Sequence, residues 1–328
     1  MKRRIRIPAA LLALALLLAL VPACEKNNSK PNDTAAPASS EAASFGTPDP
    51  ETTAEPELLE AFTASVTYPS RGVAVPATVM IPARRAGESL PFAVILHGHG
   101  GSNEGLGFIA EALCEEGFAS IRMDFSGCGA STEDFSQNNL TNMKEDALRA
   151  IDFMESVYGC DPERVSLVGF SMGGRIALEL TAEGSVAPEK LMLIAPAAST
   201  KELINLFGGS ENWEAMKAEA EANGFARYYL GEDYYQALGT EFFAAIERVE
   251  DPTEEAAARF SGDALVVWSW DDTVVPAYVS ERTARALGAS KLAFEYGGHL
   301  NGLYAGRNDP ALLEMIRSAR ALFKADRV

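Results

Sequence analysis

Five residues constrain this chain more than any others: Gly169-Phe170-Ser171-Met172-Gly173, set within the stretch Arg164 to Arg175. An apolar run, Val165 to Val168, leads into them, and Ile176, Ala177 and Leu180 follow at helical spacing, so the pattern reads strand, sharp turn, helix. In a G-x-S-x-G turn of this kind the serine takes a strained backbone conformation. Glycines two residues before and two after it leave room for the strand and helix to approach. Ser171 Oγ is expected at the C-terminal edge of a sheet, with the Met172 N–H aimed at the same space from the positive end of a helix. The competing reading is a chance G-x-S-x-G in a tight turn. The flanking elements, and the order of partners downstream, favour a nucleophile.

Charge narrows the class. The 328 residues carry 46 acidic against 28 basic side chains, a formal charge of −18, and 47% are hydrophobic. That suffices for one large domain, and the balance argues against a nucleic-acid partner, which needs a basic footprint.

The first residues have the composition of a targeting segment. Lys2, Arg3, Arg4 and Arg6 precede an apolar core from Ile7 to Val21, shorter than the ~20 residues that span a bilayer. Residues 1–23 are therefore read as a signal peptide. Leu20-Val21-Pro22-Ala23-Cys24 resembles the lipobox of bacterial lipoproteins, although Pro22 is a less usual residue there. The resemblance implies lipidation at Cys24 and anchorage to the outer face of a bacterial membrane. A secretory signal cut near Ala23 or a short membrane anchor are the alternatives. Residues 24–57 are polar, with Phe45 the one aromatic, and read as a disordered tether. Cys114, Cys128 and Cys160 have no metal-ligand spacing and no assignable disulfide.

A folded domain is expected over 58–328. Phe62 to Tyr68 and Val73 to Ile81 alternate as an antiparallel pair turning at Arg71-Gly72. Phe92 to Leu96 is a continuous apolar strand ending in His97-Gly98-His99-Gly100-Gly101. A helix from about Glu104 to Glu116, a strand from Phe118 to Asp124 and a loop from Phe125 to Asn139 follow. The next helix places Met143, Ala147, Ile151, Met154 and Val157 on one face. Further on come a strand from Lys190 to Ala195 and another from Ala264 to Trp270. A helix from Ala277 to Leu287, a strand from Lys291 to Tyr296 and a helix from Pro310 to Lys324 complete the chain. The alternation predicts an α/β fold with a mostly parallel central sheet and helices on both faces. The alternation stops at about 199–261, a polar, helical stretch with aromatic pairs at Tyr228-Tyr229, Tyr234-Tyr235 and Phe242-Phe243. It reads as a lid insertion whose aromatics line a pocket or, for any single tyrosine, are simply buried. The sequon Asn139-Leu140-Thr141 is read as incidental.

A serine hydroxyl needs a histidine base, and the base a carboxylate. Of the three histidines, His97 and His99 lie in the glycine loop upstream, so His299, on a loop after the last strand, is the candidate base. Asp271 and Asp272, at the end of the preceding strand, both qualify by position as the acid. The glycines of the His97–Gly101 loop let the backbone turn toward the nucleophile, so that the His99 N–H joins that of Met172 in an oxyanion hole.

These residues resemble the α/β-hydrolases and, within them, the bacterial cinnamoyl and feruloyl esterases. The resemblance runs from about residue 60 to 326. Its specific points are H-G-H-G-G at His97, R-M-D-F-S-G-C-G-A-S at Arg122 to Ser131, G-F-S-M-G-G at Gly169, L-I-A-P-A-A at Leu193 and D-D-T-V-V-P at Asp271. It implies that Asp272 is the acid, through the D-x-x-V pattern of Asp272 to Val275, and that His99 and Met172 supply the backbone donors. Two departures stand out. Trp268-Ser269 replaces a usual His-Gly, and Cys128 stands where a histidine is common.

The function expected is an extracytoplasmic serine esterase acting on small acyl or hydroxycinnamoyl esters, without metal or organic cofactor. A peptidase of the related oligopeptidase group and a lipid-anchored binding protein that lost the chemistry are the alternatives.

Overall fold

The computed structural model describes residues 56–231, 234–300 and 309–324. The signal peptide of residues 1–23, Cys24 and the tether as far as residue 55 lie outside the described residues.

Apolar continuity in the sequence becomes the centre of an eight-stranded sheet. In chain order its strands are β2 (Phe62–Ser70), β3 (Val73–Ile81), β5 (Phe92–Leu96), β6 (Ala119–Met123), β7 (Val165–Phe170), β8 (Lys190–Ile194), β11 (Asp263–Ser269) and β12 (Ser290–Phe294). Across the sheet they run β12-β11-β8-β7-β5-β6-β3-β2. Pairs from β6 through β12 are parallel, and β3 pairs antiparallel with both β2 and β6. Two small antiparallel pairs lie outside it, β1 (Leu58–Leu59) with β4 (Arg84–Arg85), and the hairpin β9 (Phe225–Tyr229) with β10 (Tyr235–Gly239).

Side-chain alternation splits the core between the two faces of the sheet. Phe92, Val94 and Leu96 of β5 pack with Leu140, Met143 and Met154 of α2 (Leu140–Tyr158) and Ile176 and Leu180 of α3 (Met172–Glu183). Ala93 and Ile95 face the other way, against Ile109 and Leu113 of α1 (Gly107–Glu115) and Met315 and Phe323 of the C-terminal helix Pro310–Phe323. Both faces are thus covered, as an all-apolar strand requires.

The buried stripe of α2 runs Leu140, Met143, Ala147, Ala150 and Met154, and Ile151 is half-buried. Val157, expected to continue it, is instead 57% exposed. The place in the last turn goes to Tyr158, whose ring packs at 6.2 Å from Phe62 and 5.7 Å from Phe153. Asn139 of the sequon is buried and caps α2, its side chain accepting from the Asn142 N–H at 2.9 Å. A side chain so engaged has no room for a glycan.

Between β8 and β11 the chain forms α4 (Thr200–Leu206), α5 (Ser210–Asn223), the β9–β10 hairpin, α6 (Thr240–Glu247) and α7 (Thr253–Arg259). The hairpin corrects the all-helical expectation. It sorts its aromatics by alternation: Tyr228 faces inward and is buried, while Tyr229 and Tyr235 are exposed, as is Tyr234 beside them. Phe242 and Phe243 of α6 are buried. The two ends of this segment meet, Thr200 N–H donating to Glu250 C=O at 2.9 Å. Arg175 of α3, fully buried, holds that neck. It donates to the carbonyls of Ala198, Ile246 and Val249 and pairs with Glu179 at 2.8 Å.

β5, β7 and α3 meet so closely that a Cβ on Gly173 would lie 2.1 Å from Leu96 C=O. The Gly173→Ala variant is expected to lose about 3 kcal/mol, the upper range for overpacking a packed interior. A wild-type urea midpoint in that variant would contradict this packing.

Candidate active site

The turn between β7 and α3 places Ser171 at φ 54, ψ −115, the left-handed side of the map that side chains avoid at a cost of about 1–2 kcal/mol. Three backbone bonds hold it there. Ser171 N–H donates to Ile194 C=O at 2.9 Å, and its own carbonyl accepts from Ala197 at 3.0 Å and Arg175 at 3.1 Å. Its hydroxyl is 2.9 Å from His299 Nε2. Met172 opens α3, so its N–H is one of the helix's unpaired donors.

His299 sits in a single turn of 3₁₀ helix, Gly298–Leu300, beyond β12. Its Nδ1 donates to Asp272 Oδ2 at 2.9 Å, which leaves Nε2 as acceptor for the Ser171 hydroxyl. The ring packs 5.0 Å from Phe170. Asp272 turns its other oxygen to the N–H groups of Val274 at 2.8 Å and Val275 at 3.0 Å. Ser171, Asp272 and His299 are each at most 9% exposed. The two aspartates that position alone left equivalent therefore stand in different places: Asp271 Oδ1 accepts from Gly298 N–H at 2.8 Å, bracing the loop that carries His299.

The glycine loop lies alongside, and a Cβ on Gly98 would come within 3.1 Å of Ser171 Cβ. His97 is buried and neutral in one tautomer: Nδ1–H donates to Gly98 C=O at 2.7 Å, and Nε2 accepts from Phe125 N–H at 3.2 Å. Burial holds it below the usual imidazole range. His99 donates from Nε2 to Gln236 Oε1 at 2.9 Å, and burial pushes it down to about 4. Behind the loop, the Cys128 sulfur accepts from Gly100 N–H and from Asn138 Nδ2 at 3.4 Å, and burial pushes its thiol up to about 12. Cys114, Cys128 and Cys160 are free thiols. Of the departing residues, Trp268 is buried in the core, edge-on to Trp270 at 5.7 Å. Cys24 lies outside the described residues, and these hold no group of three or more His, Cys, Asp or Glu suited to a metal ion.

Sequence reading did not anticipate the brace by Asp271, the fixed tautomer of His97 or the contact of Gln236 with His99. Only the first had a local signal, in the doubled aspartate.

A model of the α/β-hydrolase family matches residues 93–310. With well over half of its length matched, the chain belongs to the α/β-hydrolase family. An uncharacterized protein of Mycobacterium tuberculosis strain H37Rv is 24% identical over 229 residues, 70% of this chain and 67% of that protein. Among solved structures, Est1E from Butyrivibrio proteoclasticus with ferulic acid bound superposes with a TM-score of 0.62 at 18% identity, covering 78% of this chain and 96% of that one. The esterase domain of a Rhodothermus marinus protein gives 0.54 at 20% identity, over 80% and 99% of the two chains. An acylaminoacyl peptidase from Pyrococcus horikoshii gives 0.57 at 14%, over 81% of this chain and 42% of that one. These likenesses are of fold, and the fold is a hydrolase's.

His99 gives an acid limb to stability. Its proton binds near 6.5 in the unfolded chain and at about 4 in the fold, so its contribution is full above 6.5 and is lost as pH falls toward 4. The drop in urea midpoint between pH 6.5 and 4 is expected to be smaller in His99→Gln than in wild type. Equal drops would show that burial leaves this imidazole's titration unchanged.

Proposed function

We propose that this protein is a serine carboxylester hydrolase in which Ser171 is the nucleophile, His299 the general base and Asp272 the acid. The observation that carries the reading is the hydrogen-bonded chain from Asp272 through His299 to Ser171. His299 Nδ1–H on the carboxylate fixes the tautomer that leaves Nε2 free to take the serine proton. The same carboxylate stabilises the imidazolium once the proton has moved.

Ser171 Oγ attacks the ester carbonyl as His299 Nε2 takes its proton. The tetrahedral oxyanion is held by the N–H groups of His99 and Met172, each donor worth on the order of 10²–10³ in rate. His299 then gives the proton to the departing alcohol, leaving an acyl-Ser171. A water deprotonated by His299 attacks that acyl group, and collapse returns the acid and the free serine. Every step uses residues of this chain, so the reading needs no metal or organic cofactor.

The substrate class proposed is small acyl or hydroxycinnamoyl esters. It is supported by the motif resemblance and by the likeness of fold to Est1E, which holds ferulic acid. The likeness to an acylaminoacyl peptidase makes amide cleavage the second reading. The test is a panel of p-nitrophenyl acetate and butyrate, methyl ferulate and an aminoacyl anilide, each run with wild type and Ser171→Ala. Ester turnover that vanishes in Ser171→Ala is the expected result. Anilide cleavage alone would replace the esterase by a peptidase, and silence on all four would favour a binding protein.

The two aspartates separate further. Asp272→Asn is expected to lower kcat by on the order of 10³-fold or more, because an amide can hold the wrong imidazole tautomer. Asp271→Asn keeps an oxygen for Gly298 N–H and should stay within about tenfold of wild type. The reverse ranking would move the acid to Asp271.

The location we propose is the outer face of a bacterial membrane, through lipid on Cys24 after removal of residues 1–23. Fractionation should place wild type with the membrane and Cys24→Ala in the soluble export fraction. Membrane association that survives in Cys24→Ala would overturn lipidation at that cysteine.

A further inference from the structure

His99 stands between two glycines, Gly98 and Gly100, so neither neighbour has a Cβ to restrict the peptide that carries its N–H. On its carbonyl side that peptide is held by His97 Nδ1–H at 2.7 Å and Gly101 N–H at 3.0 Å, both donating to Gly98 C=O; on its other side the hold is the His99 ring. Phe135 meets it edge-on at 5.2 Å, Phe207 at 6.1 Å, and Phe242 lies tilted at 5.6 Å. Gln236 Oε1 takes the Nε2 proton at 2.9 Å. Of these four groups Phe207, Gln236 and Phe242 belong to the segment between β8 and β11, and only Phe135 to the loop before α2.

The contact with Gln236 is built on both sides. Gln236 is a buried glutamine on the inward face of β10. Gly100, at φ +67, leaves the gap its amide fills: a Cβ there would lie 2.7 Å from Gln236 Nε2. The segment bringing Gln236 is itself fixed, by Arg175 at its neck and by β10 passing so close to Ser136 C=O that a Cβ on Gly239 would lie 2.3 Å from it. The bond to Gln236 therefore ties the His99 side of the loop to the inserted segment, while the Gly98 and Gly100 bonds hold its backbone.

We infer that Gln236 is a positioning residue for the oxyanion hole: by accepting the His99 Nε2 proton it fixes the ring and, through it, the direction of the His99 N–H. The inference rests on the reading that His99 N–H holds the oxyanion. The inserted segment is then part of the catalytic apparatus as well as a cover over it. Because the oxyanion forms after substrate binds, a misaimed donor lowers kcat and leaves KM nearly unchanged.

The test uses the full chain as wild type, Gln236→Met, which keeps the shape and removes the strong acceptor, and Gln236→Glu, which keeps the acceptor. For each, kcat and KM on p-nitrophenyl acetate are measured, with the affinity for phenylboronic acid, whose adduct on Ser171 places an oxygen in the oxyanion hole. Gln236→Met is expected to lose about 10–100-fold in kcat, below the full loss of a donor, with KM within about threefold and boronate affinity falling in parallel. Gln236→Glu is expected to recover most of the loss. In a His99→Ala background, Gln236→Met should cost little more, since the residue acts through the ring.

Wild-type kcat and boronate affinity in Gln236→Met would overturn the inference, as would an equal loss in Gln236→Glu or full additivity with His99→Ala. Should Gln236→Met not fold, the Gln236→Glu and His99→Ala results decide: the first near wild type and the second low in kcat alone support it, any other pair overturns it. A wild type that neither turns over the ester nor binds the boronate would instead remove the serine-hydrolase reading, and the inference with it.

Discussion

The left-handed backbone at Ser171 is the constraint on which the rest of the site depends. A serine at φ 54 is unfavourable in isolation, and it persists because β7 and α3 are locked on either side and Ile194, Ala197 and Arg175 bond its peptide groups. In this turn the hydroxyl meets His299 Nε2 at 2.9 Å, and Met172, the next residue, opens α3. His299, on a loop 128 residues downstream, meets the serine only in this turn geometry. The close contact of Gly173 with Leu96 and the strain at Ser171 are two consequences of one tight junction.

The three histidines show how partners divide one residue type among different tasks. His299 gives its Nδ1 proton to a carboxylate, a partner that grows stronger when the ring gains charge. His97 and His99 give theirs to a backbone carbonyl and a side-chain amide, and burial keeps both neutral. In the reading developed above, one imidazole moves protons while the other two hold the loop that receives the developing charge. Their low affinity for protons keeps that loop in one hydrogen-bonded form across the neutral range.

What was legible in the sequence was what is local. The sheet strands announced themselves as apolar runs, and the Ser171 turn as two glycines around a serine between a strand and a helix. The separation of Asp271 from Asp272 was legible only through motif resemblance, because both end the same strand; their different partners are set by a loop 27 residues away. Val157 failed for a related reason: the spacing was right, but Tyr158 took the last contact of the helix. The β9–β10 hairpin escaped because Tyr228 and Tyr229 put one ring inside and one outside while Tyr234 and Tyr235 are both exposed, which blurs alternation into an aromatic run. The contact of Gln236 with His99 spans 137 residues and has no local signal at all.

The central claim, that Ser171 is a nucleophile activated by His299, is tested most directly by trapping the covalent enzyme. Wild type, Ser171→Ala and His299→Ala would each be treated with a fluorophosphonate, digested, and searched by mass spectrometry for the modified peptide. One adduct is expected, on Ser171 in wild type, absent from Ser171→Ala and formed far more slowly in His299→Ala. An adduct on another residue, or hydrolysis of an ester by a wild type that cannot be labelled, would contradict it.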